Sequence, residues 1–167
     1  MESRVRSLGH SVHPMLVVYP LGLLSTAVIF DIVRLASGHG DPWGVVVFWM
    51  IAAGIVGGAL AAVVGLIDWL GIPSGTRAKR IGLIHAGSNA AALACFAASW
   101  LMRRPSVAAP PLGAFVLSVA GFLLAGVGGW LGGELVERLG IGVHEGANPD
   151  APDSLRHPSA RSGAKAP

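Results

Sequence analysis

The sequence predicts an all-α protein, an integral membrane four-helix up-down bundle, and three observations carry that reading. Only 13% of the 167 residues are charged and 53% are hydrophobic, whereas a soluble domain carries about 25% charged residues. The apolar residues stand in four blocks, each near the roughly 20 residues a helix needs to cross a bilayer. The connections between blocks are short, which makes sequential helices antiparallel.

The first helix is predicted over about residues 15–35, since Met15–Phe30 holds no charge. It opens on His13-Pro14. Proline costs nothing in a first turn, where its missing N–H would have had no partner. Histidine caps poorly beside Ser, Thr, Asp or Asn and ligates well, so His13 reads as a group placed to bind. Asp31, near the far end, has Arg34 three residues on as a local ion-pair partner. Arg4 and Arg6 precede the run as in a secretory signal. No small-residue cleavage site stands out after it and three more spans follow, so the helix is read as retained.

The second helix is predicted over 43–69, from the 25 charge-free residues of Trp43–Ile67. The third is predicted over 81–102, where His85 and Cys95 are the only ionisable side chains. Cys95 is the single cysteine, so no intrachain disulfide forms. The fourth is predicted over 112–137, with Leu112–Gly133 free of charge. Glycines four apart mark close helix packing: Gly54 with Gly58, Gly128 with Gly132, and Gly129 with Gly133. Residues 1–144 form the predicted transmembrane domain. The segment 145–167, "EGANPDAPDSLRHPSARSGAKAP", is too polar and Pro-rich to order itself and reads as a disordered cytoplasmic tail.

Basic residues set the orientation. The N-terminus, the 68–80 loop and the tail carry Arg4, Arg6, Arg77, Lys79, Arg80, Arg138, Arg156, Arg161 and Lys165, against Arg34, Arg103 and Arg104 on the other side. The positive-inside rule puts the richer side, with both termini, in the cytoplasm of a bacterial inner membrane. Trp43 and Trp100 then mark the outer interface and Trp69 the inner one. The basic charge is explained by topology and does not point to nucleic acid.

The two halves echo each other. His85 follows His13 by 72 residues, and "DWLGI" at 68–72 returns as "ERLGI" at 137–141, an offset of 69. A parallel repeat of this kind implies a pseudo-twofold axis along the membrane normal, with the two histidines facing across it. His13, Asp68, His85 and Glu134, one from each helix, fall at the cytoplasmic ends of their spans, and Asn89 shares the face of His85 at i+4. His144 follows on the same side, with no role assigned to it or to the tail.

Three readings of these residues stay open. In the first, His13 and His85, with Asp68 and Asn89 beside them, hold haem b or a metal ion in a redox accessory subunit. In the second, the protein is a structural subunit that packs through its glycine faces and takes no cofactor. In the third, Asp68, His85 and Glu134 serve a small proton-linked transporter. The partners expected are the lipid bilayer and either a second copy of the chain or a redox protein.

The stretches "HPMLVVYPLGLLSTAVIFD", "GLIDWLGIPSGTRAKRIGLIHAGSN" and "GGWLGGELVERLGIGV" resemble the small four-helix bacterial membrane-protein family catalogued as domain of unknown function 2231. The resemblance spans roughly residues 10–143. It rests on His13-Pro14, Asp31, Gly65 with Asp68-Trp69, His85 with Asn89, and the run Gly132-Gly133-Glu134-Leu135-Val136. It implies the four-helix membrane fold. Some relatives are joined to Rieske-type iron–sulfur domains, which implies a redox setting, although one cysteine cannot build such a cluster here.

Overall fold

The computed structural model of the protein describes residues 1–39 and 41–155. A two-residue hairpin comes first, with β1 (Arg6–Ser7) antiparallel to β2 (His10–Ser11). Four long helices follow: α1 (Val12–Ser37), α2 (Trp43–Gly71), α3 (Arg77–Arg103) and α4 (Leu112–Gly133). Each is long and apolar enough to cross a membrane. The chain is the all-α four-helix bundle expected. The predicted tail, 145–167, lies in part outside the described residues, at 156–167.

Helix ends depart from the sequence reading for local reasons. The first helix starts at Val12, before Pro14, so His13 and Pro14 lie inside its first turn. Ser11 holds the cap position without a side-chain cap; its hydroxyl donates instead to the Gly142 carbonyl. The third helix starts at Arg77, not near 81, because the Thr76 hydroxyl accepts the Lys79 N–H and caps it ahead of the basic run. The fourth does not run to 137 as one α-helix but widens into a π-helical turn, Glu134–Arg138. Gly38 ends α1 at φ 68°, the left-handed conformation that glycine adopts freely.

The helices form two hairpins. α1 packs along α2 and α3 along α4, while α2 meets α3, and α1 meets α4, less extensively. The core gathers Leu24, Ala27, Val28, Val47, Ile51 and Phe96. Large apolar side chains such as Val18, Leu60, Leu83, Leu123 and Trp130 point outward, as lipid contact requires.

The hairpins repeat each other contact by contact. The His13 ring bonds the Ala61 carbonyl and the His85 ring the Gly128 carbonyl. Gly65 lies against His13 and Gly132 against His85; Gly54 lies against Leu24 and Gly121 against Phe96. In each pair the offset is 72 residues on α1/α3 and 67 on α2/α4. The echo at 69 begins within the π-helical turn, Glu134–Arg138, and runs past it, which shifts the second hairpin out of the 67-residue offset.

The same 72-residue offset relates Asp31 to Arg103, and these two meet at the other end of the bundle. Arg103 Nη1 donates to Asp31 Oδ1 at 2.9 Å and Nη2 to Oδ2 at 2.5 Å. Arg34 Nε reaches Oδ1 at 3.2 Å, the local pairing expected from the sequence. Ser99 accepts from Arg103 Nε and Ser118 from Nη2, each at 3.2 Å. Asp31, Arg103, Ser99 and Ser118 are all fully buried. The sequence reading missed Arg103; applying the histidine offset to Asp31 would have found it.

Candidate functional site

At the opposite end, His13 and His85 face each other with ring centroids 6.4 Å apart and planes crossed at 76°. Each ring is held by the second helix of its own hairpin. His13 Nδ1 lies 2.9 Å from the Ala61 carbonyl oxygen and His85 Nδ1 2.8 Å from that of Gly128. A carbonyl can only accept, so each Nδ1 carries a hydrogen and a neutral ring keeps its free lone pair on Nε2. The rings fit because Gly65 and Gly132 have no side chains. A Cβ at Gly65 would stand 2.8 Å from His13 Cε1, and one at Gly132 3.2 Å from His85 Cε1.

Asn89 belongs to the same group. Its Nδ2 donates to the His85 carbonyl at 2.9 Å and sits 3.4–3.5 Å from both ring nitrogens of His85. At 3.4 Å from Nε2, and nearly as close to Nδ1, the amide does not squarely engage the Nε2 lone pair. Gly128 makes the room: a Cβ there would come within 2.5 Å of Asn89 Oδ1.

Asp68 and Glu134 are turned to other partners. The Asp68 carboxylate accepts from the Ser3 hydroxyl at 2.8–2.9 Å, from Arg4 N–H at 2.7 Å and from Val5 N–H at 3.3 Å. It thereby straps the N-terminal segment over the histidine end. Met1 extends the strap through its amine to the Gly140 carbonyl and its own carbonyl to Gly142 N–H. Glu134 pairs with Arg77 at 2.5 Å, and His144 lies 3.3 Å from Glu2 on the exposed rim. Nothing in the sequence pointed to Ser3 as the Asp68 partner, because the contact depends on how the first residues fold back.

Of the six glycines read as packing residues, four pack inside the chain. Gly54 meets Leu24, Gly58 meets Leu93, Gly128 meets Asn89 and Gly132 meets His85, whereas Gly129 and Gly133 face open space. Among the described residues no group of three or more His, Cys, Asp or Glu side chains converges as a metal site. A ligand held here by side chains of those types would therefore rest on the two imidazoles.

In comparisons with known proteins, a family described as a predicted membrane protein (DUF2231) matches residues 9–145. No curated protein and no solved structure matches the chain.

Proposed function

The chain belongs to this family of predicted membrane proteins, DUF2231, and on that premise we propose that it is a membrane-embedded subunit in which His13 and His85 form a ligand pair for a transition metal, either haem iron or a single ion. The observation that carries the reading is the pair of Nδ1 hydrogen bonds to the Ala61 and Gly128 carbonyls. Metal-ligating histidines commonly donate their second nitrogen to a carbonyl or carboxylate, which fixes the ring and directs Nε2 to the metal. Imidazole suits iron, copper, nickel and zinc and also holds haem iron, so His13 and His85 would be the residues that hold either group. Such a group would supply electron transfer or Lewis acidity. The chain's own part is to hold both rings, with Asn89 setting His85 and the strap on Asp68 covering that end.

The test is the absorption spectrum and metal content of the detergent-purified protein. A Soret band identifies haem, and stoichiometric metal without one identifies an ion. His13→Asn and His85→Ala are each expected to abolish the bound group, with the double change adding little because the two ligands act as a unit. A protein that carries neither, from cells supplied with haem and metals, removes the reading.

A second reading, packing against another chain, rests on Gly129 and Gly133, which have open space before them. Gly129→Leu with Gly133→Leu would then break a dimer seen by native mass spectrometry. The orientation completes the proposal: the end of the bundle that holds residues 1–11 also carries Arg77, Lys79, Arg80 and Arg138 beside Arg4 and Arg6, and the positive-inside rule supports a cytoplasmic position for it in a bacterial inner membrane.

A further inference from the structure

The two histidines also limit the shape of what they can hold. Each ring is tied through Nδ1 to a carbonyl of its own hairpin, at Ala61 and at Gly128, and rests on a glycine, Gly65 or Gly132. The two mounts belong to different hairpins, so a ring that moved toward the other would leave its carbonyl. The separation of the rings, 6.4 Å between centroids, is therefore a dimension of the site.

With ring bonds of about 1.33 Å, an imidazole nitrogen stands about 1.1 Å from its ring centre. A metal–nitrogen bond adds about 2.0–2.1 Å. Two rings that bind one metal in line, from opposite sides, thus have centroids about 6.3 Å apart, and rings at a tetrahedral angle only about 5 Å. A hydrogen bond passed directly between two imidazoles also spans only about 5 Å from centre to centre. The observed separation meets the in-line arrangement and exceeds the other two. A bare ion held in line by two rings needs further ligands, and among the described residues no third His, Cys, Asp or Glu side chain converges on the pair. Haem iron brings its in-plane nitrogens with it and leaves one axial position on each face. The plane midway between the rings falls between the two hairpins, where helix contacts are less extensive than within either one.

Resting on the proposed reading that both rings ligate one metal, we infer that the ligand is haem and not a tetrahedral ion, with His13 Nε2 and His85 Nε2 on opposite faces of its iron. The Ala61 and Gly128 carbonyls set the spacing of the two rings, and the glycines beneath them leave room for that spacing.

The experiment titrates the detergent-purified full chain with haemin and, separately, with zinc(II) and copper(II). Haemin is expected to bind one to one and to give the low-spin ferric absorption and electron paramagnetic resonance spectra of iron with two imidazole ligands. His10→Gln, His39→Gln, His144→Gln and His157→Gln combined leave His13 and His85 as the only histidines, and this variant should keep the spectrum. His13→Asn and His85→Ala should each lose it. The wild-type spectrum counts the imidazoles by itself and the combined variant leaves the pair intact, so the result does not depend on how well the two single variants fold. A high-spin spectrum in wild type, loss of the low-spin spectrum in the combined variant, or its retention in either single variant overturns the inference. One-to-one binding of zinc or copper without haemin uptake also overturns it, while the paired-ligand reading stands. Uptake of none of the three overturns both.

Discussion

Asp31 accepts from Arg34 and Arg103 at once, so the three side chains do not respond symmetrically to loss. Arg103→Met leaves the carboxylate its Arg34 partner. Asp31→Leu strands two buried guanidinium groups, and breaking a buried pair from one side costs about 3–5 kcal/mol. The expected order in detergent unfolding is wild type, then Arg103→Met, then Asp31→Leu as the least stable; equal midpoints for the two variants would mean that Arg34 does not hold Asp31. The local half of this group was legible in the sequence, because residues three apart on a helix are neighbours. Arg103 was not, since a partner 72 residues away has no local signature. His13 illustrates the same limit. Its residue type, where a short polar cap was expected, pointed to a role beyond capping, but its bond goes to the Ala61 carbonyl, and every residue offers a carbonyl.

On α4 the spacing rule gives two glycine pairs one residue apart, Gly128 with Gly132 and Gly129 with Gly133. Successive residues on a helix are rotated by about 100°, so the two pairs cannot share a face. The sequence supplies the period but not its phase. The phase is set by Asn89 and His85, which fill the space in front of Gly128 and Gly132. Gly128→Ala is therefore expected to destabilise the fold by about 1–3 kcal/mol through overpacking against Asn89, and Gly129→Ala to be neutral or slightly stabilising, since alanine favours helix over glycine. Unfolding midpoints of the two variants check this; similar losses in both would put Gly129 in an interface. Helix positions were legible because apolar blocks of this length have few other uses. The start of α3 was not, because its first turn is basic and only the Thr76 cap reveals it.

Across the whole molecule, the proposed orientation predicts that a periplasm-active reporter fused after Pro167 is silent and one inserted after Pro105 is active; the reverse pattern would invert the bundle. The four spans and their antiparallel order were legible, whereas the depth of the repeat was not. The offset of 72 stood in the two histidines and leads from Asp31 to Arg103, whereas the offset of 67 on α2/α4 had to be read from paired contacts. The equivalence of Asp31 and Arg103 has a consequence for assembly during synthesis. Two copies of the second hairpin brought together about the axis would press Arg103 against Arg103 with no carboxylate between them, a repulsive encounter in a low-dielectric interior. The first hairpin already holds Arg34 on its Asp31, and there Arg103 finds a carboxylate. The second half therefore rejects its own twin and accepts its sibling.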